Sequence, residues 1–125
     1  MQQDIVILSE TKKKGQGIET QGTYLHLYSG VSKEKRAKRG ISIMIKKTYK
    51  KYIKQWEAIN ENMIKLNLNI FGKRIAILGV YGLSEDEPQE RKDEFYITLN
   101  RVIDEIGDSR ELIIYICIYL FIQIA

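Results

Sequence analysis

Few side chains in this 125-residue sequence have the type and setting to do chemistry. Glu10 comes first. It follows Asp4-Ile5-Val6-Ile7-Leu8-Ser9, where four consecutive apolar residues, three of them β-branched, predict a strand buried on both faces. A carboxylate at the end of a buried strand can serve as metal ligand or general base, because a rigid element fixes its position. The same residue can equally mark the strand's exit into solvent. His26, the only histidine, alternates with Leu25 and Leu27, so it is expected on a strand, at the surface or half-buried, rather than in a catalytic role. The segment Lys33-Glu34-Lys35-Arg36-Ala37-Lys38-Arg39-Gly40 is mostly basic. Arg forks and Lys point charges attract phosphate oxygens. Three readings stay open for it: a phosphate-meeting loop, a nuclear-localisation-like cluster, and a solvated loop.

The overall charge supports a polyanionic partner. A net charge of +4 hides an asymmetry: residues 1–81 carry 16 Lys/Arg against 6 Asp/Glu, whereas residues 82–125 carry 4 against 10. Basic charge gathered on one part of a domain is the footprint of such a partner, nucleic acid being the commonest, although Lys-rich solvated faces also occur. With 44% apolar and 29% charged residues the chain reads as globular. The single Cys117 excludes an internal disulfide, and no Cys/His grouping has zinc-ligand spacing. No signal-peptide order appears at the N-terminus. An intracellular, reducing setting is therefore expected, and no small-molecule cofactor is implied.

The elements that must position these residues follow from periodicity. Residues 12–20 read as a polar loop broken by Gly15 and Gly17. Thr23 to Tyr28 and Ile41 to Ile45 alternate as strands. Residues 46–56 are basic with Tyr49, Tyr52 and Trp56 interleaved, a mix that can stack bases but more often packs on a core. In Met63 to Ile70, Ile64, Leu66, Leu68 and Ile70 face one way and Lys65, Asn67 and Asn69 the other. Phe71-Gly72-Lys73 turns this strand into Arg74 to Tyr81, apolar throughout and so expected deeper in its sheet. Ser84-x-x-Glu87 has the form of a capping box with Pro88 in the first turn. Phe95, Leu99, Val102, Ile103 and Ile106 then make one helical stripe over residues 89–106, stopped by Gly107. The last fourteen residues, from Leu112, are almost wholly apolar, too short for a spanning helix. They read as a buried strand that overruns its sheet and as an aggregation liability.

Three pieces in order resemble a known family: Leu8-Ser9-Glu10-Thr11-Lys12, then Arg39-Gly40-Ile41-Ser42-Ile43, then Gly79-Val80-Tyr81 with Ser84-Glu85-Asp86-Glu87. They resemble the endonuclease domain of non-LTR (LINE-type) retrotransposons, whose relatives include craniofacial development protein 2-like proteins, within the endonuclease/exonuclease/phosphatase superfamily. The resemblance covers residues 4–114 and implies a fragment of a two-sheet α/β sandwich with helices on the outside. Residues 115–125 would be an apolar tail unrelated to the family. The resemblance also implies Mg²⁺-assisted DNA phosphodiester hydrolysis, in which a hard cation on oxygen ligands polarises the phosphate. Glu10 matches the family's metal-binding Glu, Tyr81 the Tyr that contacts the scissile phosphate, and Lys12 a Lys near the metal. In that fold the strands ending at Glu10 and Tyr81 would open onto one sheet edge, with both side chains in one shallow cleft.

The sequence departs from the family elsewhere. The family's opening strand, with its active-site Asn, would precede residue 1. Tyr115-Ile116-Cys117-Ile118 stands where Gly-Asp-Phe-Asn would follow Ile114, and the late Asp-His pair has no counterpart. The expectation is a truncated endonuclease domain, the N-terminal half, that does not cut DNA, located inside the cell and, through its basic cluster, in the nucleus. The alternatives are a non-catalytic nucleic-acid-binding module using Lys35, Arg36, Lys38 and Arg39 with residues 46–54, and a remnant tethered by its apolar C-terminus. A membrane role is the less expected.

Overall fold

A hydrophobic period of two up to Tyr81 and of 3.6 after Pro88 decides the architecture. The computed structural model describes residues 4–9, 15–30, 40–83, 85–108, 111–117 and 122–124. Its elements are β1 (Ile5–Ser9), β2 (Gln16–Gln21), β3 (Tyr24–Gly30), β4 (Gly40–Lys46), a 3₁₀ turn (Lys47–Tyr52), β5 (Ile53–Asn60), β6 (Met63–Ile70), β7 (Lys73–Tyr81), α1 (Gln89–Ile106), β8 (Glu111–Cys117) and β9 (Ile122–Ile124). One sheet has the order β2-β3-β4-β1-β9, the other β5-β6-β7-β8. All pairings are antiparallel except β7 with β8, whose crossover contains α1. The molecule is thus a mixed α/β fold of two sheets and, among the described residues, one α-helix.

The sheets pack face to face. Ile7, Leu25, Leu27, Ile41, Ile43 and Ile45 of the first meet Ile64, Leu66, Leu68, Ile77 and Tyr81 of the second, and all are buried. Burying each such Ile or Leu is worth about 1.5–3 kcal/mol, so this layer is the main source of stability. Alternate residues of β7 (Ala76, Leu78 and Val80) face outward onto Val102 and Ile106 of α1, with Phe95, Leu99 and Ile103 at the margin. Strand β7 is therefore buried on both faces, as its unbroken apolar run predicts. The helix runs over residues 89–106 as the stripe predicts, with Pro88 as its N-cap and no side-chain cap bond. Ser84 of the expected capping box lies outside the described residues. Gly107, at φ 69, closes the helix through its N–H to the Ile103 carbonyl.

Several expectations are corrected. Within β1 only Ile7 is fully buried, and Ile5, Val6 and Leu8 are half-buried. The physical reason is that α1 covers the other sheet, so the outer face of β1 has no described helix over it. Residues 16–20, expected in a loop, belong with Gln21 to the edge strand β2 paired with β3. An edge strand buries little, and Ile18, its one apolar side chain, is 48% exposed. Residues 53–60 form β5, a second edge strand that the sequence did not predict; its Trp56, with Tyr49 and Tyr52 of the 3₁₀ turn, packs on the inter-sheet core, the expected outcome for these aromatics. The polar face of β6 is not solvent-facing: Lys65 and Asn67 are each only 7% exposed. His26 is buried too. Gln21 Nε2 lies 3.2 Å and Glu19 Oε1 3.5 Å from its Nδ1, and the Tyr28 ring stands 5.5 Å away. The apolar C-terminal stretch does not overrun one sheet. Residues 111–117 run in register with β7 as far as the Tyr81–Cys117 pair, and residues 122–124 then pair with β1 in the opposite sheet.

Candidate functional site

One end of the sandwich gathers the chemically interesting positions. At this end β1 finishes at Ser9, paired with Ile41, and Gly30 pairs with Gly40, so β3, β4 and β1 reach it together. The Gly30 N–H also donates to the Gly15 carbonyl at 2.8 Å. The Ser29 hydroxyl crosses between sheets to donate to the Asn60 carbonyl. In the second sheet the turn Asn60-Glu61-Asn62 is tied to the end of β7. The Tyr81 N–H donates to the Asn62 carbonyl at 2.7 Å, and Asn62 Nδ2 donates to the Tyr81 carbonyl at 2.9 Å. Asn62 is only 5% exposed, so these bonds are shielded from water and hold the turn firmly. The Asn62 N–H in turn donates to Asn60 Oδ1 at 2.7 Å, an Asx-type closure.

Beside this turn lies a cleft of about 370 Å³, walled by Gly30 of the first sheet, by Asn60, Glu61, Asn62 and Leu83, and by Arg91, Glu94, Phe95 and Thr98 of α1. Arg91 is shared between two carboxylates, with Nη2 3.4 Å from Glu61 Oε1 and Nε 3.5 Å from Glu87 Oε2. One guanidinium against the two wall carboxylates, Glu61 and Glu94, leaves the cleft acidic. An acidic cleft repels a phosphodiester, so the cleft itself is poorly suited to DNA.

The sequence-predicted site residues are placed as follows. Glu10, Lys12, Lys35, Arg36, Lys38 and Arg39 lie outside the described residues. Tyr81 ends β7, is 9% exposed, and contributes its ring to the inter-sheet core; the cleft walls do not include it. The expected single sheet edge is replaced by a shared end of two sheets, since β1 and β7 lie in different sheets. Among the described residues no group of three or more His, Cys, Asp or Glu could hold a metal ion. No helix among them is long and apolar enough to cross a membrane. No family model, no curated protein and no solved structure matches this chain.

The cleft residues carry no motif. The one signal that could have found them is Asn-Glu-Asn directly before the strand pattern of Met63 to Ile70, a turn signature. Arg91 and Glu94 had none, because any helix start of this composition reads as a solvated face.

Proposed function

We propose that this chain is the N-terminal half of a LINE-type endonuclease domain of the endonuclease/exonuclease/phosphatase kind, and that it binds DNA without cutting it. The motifs around Glu10, Gly40 and Tyr81 support this in their order along the sequence. The observation that carries it is the common end of β1, β3, β4 and β7: Ser9, Gly30, Gly40 and Tyr81 stand there together. Glu10 directly follows Ser9 in the chain, and the basic segment containing Lys35, Arg36, Lys38 and Arg39 joins Gly30 to Gly40. A basic connection rooted at that end suits a duplex backbone, whose affinity comes from phosphate contacts.

Glu10, the metal ligand that the resemblance implies, lies outside the described residues, and among the described residues no group of three or more His, Cys, Asp or Glu could hold an ion. Glu61, in the turn whose Asn62 is tied to the Tyr81 backbone, is paired with Arg91, and a hard cation needs several oxygen ligands converging on it. No hydrolytic step is therefore derived through a metal. The water-activating Asp-His pair is missing from the sequence, and general acid–base help alone is worth about 10²–10⁴-fold in rate.

The test is plasmid nicking in Mg²⁺ by the purified chain beside a Glu10→Gln variant, with duplex binding measured on the same preparations. Binding without nicking is the expected result. Nicking that Glu10→Gln abolishes would restore a catalytic reading; no duplex binding at all would remove the DNA reading.

A further inference from the structure

The opposite end of the sandwich carries a second feature, independent of the endonuclease reading. There β6 turns into β7 through Phe71 and Gly72, with Ile70 paired to Lys73. Phe71 has φ 50 and Gly72 φ 82, the two positive values of a type I′ hairpin turn. Asn, Asp or Gly belongs at the first of these positions; a bulky aromatic there is a backbone outlier. Phe71 is also 90% exposed, so burial does not compensate for the strain. Strained residues that fold stability does not explain cluster at binding sites.

The surroundings say what would be bound. The Phe71 ring centroid is 5.6 Å from that of Tyr52, which is 6.2 Å from that of Tyr49, and Lys51 Nζ lies 5.4 Å from the Tyr52 centroid. Tyr49 and Tyr52 are packed on the core, so Phe71 stands at the free end of a buttressed row of rings. Lys47, Lys50 and Lys51 on the 3₁₀ turn, and Arg74 just past the hairpin tip, are exposed. None of the four has an ion-pair partner among the described residues, whereas neighbouring Lys46 and Lys73 are paired with Asp4 and Glu111. An anchored aromatic face with exposed cations on the two neighbouring segments, none of them ion-paired among the described residues, matches a nucleobase and its flanking phosphates. In a duplex the base faces are already stacked, so the partner is single-stranded. A lipid surface fits less well, because interfacial binding needs an extended apolar face rather than one ring.

We infer that Phe71, with Lys47, Lys50, Lys51 and Arg74, forms a single-stranded nucleic-acid platform at the end of the sandwich remote from Tyr81. The test is fluorescence anisotropy of a short labelled oligothymidylate titrated with the full chain. Phe71→Gly suits the turn's positive φ, so it leaves the melting temperature unchanged or raises it, while affinity falls roughly 5- to 150-fold, the equivalent of one base stack. Phe71→Trp restores binding. Replacing Lys50 and Lys51 by Gln lowers the slope of log affinity against log salt by about 0.7 for each phosphate that is no longer neutralised. Replacing Lys35, Arg36, Lys38 and Arg39 by Gln weakens duplex binding and leaves oligothymidylate binding intact, which separates this inference from the proposed function. Unchanged oligothymidylate affinity in Phe71→Gly would overturn the inference. So would Phe71-dependent sedimentation with phosphatidylserine vesicles in the absence of oligothymidylate binding.

Discussion

Gly79→Ala tests whether the two sheets close on each other as described. A methyl at Gly79 would lie 3.1 Å from Ile64 Cγ2 in its own sheet, and 3.3 Å from Ile41 Cδ1 and 3.4 Å from Ile7 Cγ2 in the opposite one. All three neighbours are fully buried, so none can swing aside into solvent. Ile64 and Ile41 must give by a few tenths of an ångström. Side chains pushed off their rotamers cost about 0.5–1.5 kcal/mol each, and overpacking a dense core costs about 1–3 kcal/mol in all. Against this, Ala in a strand interior is favoured over Gly by roughly 0.5–1 kcal/mol. The steric cost wins, for a net loss of about 1–2 kcal/mol. With an unfolding entropy of ~2.1 cal/mol/K per residue, this corresponds to a melting temperature lower by about 4–8 °C. Urea unfolding should show a lower midpoint with an unchanged m-value. Gly22→Ala is the control: its φ of 59 leaves only backbone strain, because no atom lies within 4 Å of the added methyl. If Gly79→Ala raises the melting temperature, the inter-sheet core does not close at Gly79 and the face-to-face packing is wrong.

Three further outcomes are expected. Asn67 is buried with its Oδ1 unbonded among the described residues, so Asn67→Val should stabilise by about 1 kcal/mol in urea unfolding; a loss of stability would mean that this oxygen has a partner. Tyr49 donates its hydroxyl to Asp4 Oδ2 at 3.1 Å, and that bond, then desolvation and the Asp4 charge, raise its pKa above 10.0. A pKa raised on folding gives stability that is complete below pH 10 and lost as pH rises through the folded value. Absorbance titration should show one tyrosine ionising late, and Tyr49→Phe should remove that component and flatten the alkaline loss of stability. Finally, duplex affinity should fall steeply with salt, with a slope reduced when Lys35, Arg36, Lys38 and Arg39 are neutralised together; an unchanged slope assigns the segment to a solvated loop.

The elements legible in the sequence are those whose burial is one-sided or complete. The β6–β7 hairpin and α1 are legible because Ile64, Leu66, Leu68 and the stripe from Phe95 to Ile106 repeat at the period of their own backbone. Strands β2 and β5 are not, since edge strands bury few side chains and their pairing is set by neighbours distant in sequence. Lys65 and Asn67 mislead for another reason: polar identity predicts exposure, yet both lie on the face of β6 that continues onto the surface covered by α1. Of the site, Tyr81 is legible as the end of an apolar strand. Its partner Asn62 is not, because a turn's hydrogen bonds depend on which distant strand end it meets. Phe71 reads as an ordinary turn residue, and only its φ and exposure distinguish it.

The pairing of β9 with β1 sets the order of events in folding. Strand β1 can zip to β4 early, across some forty positions, whereas Ile5 meets Ile124 across almost the whole chain. Loop-closure entropy makes such distant contacts late and slow. Until β9 arrives, the side of β1 away from β4 is a bare row of peptide donors and acceptors, able to take a strand from another molecule as readily as its own. Assembly of the first sheet is therefore a race between an intramolecular and a bimolecular step. Refolding yield should drop as protein concentration rises, and the missing material should be strand-exchanged oligomer. A yield independent of concentration would show that β1 is never exposed in this way.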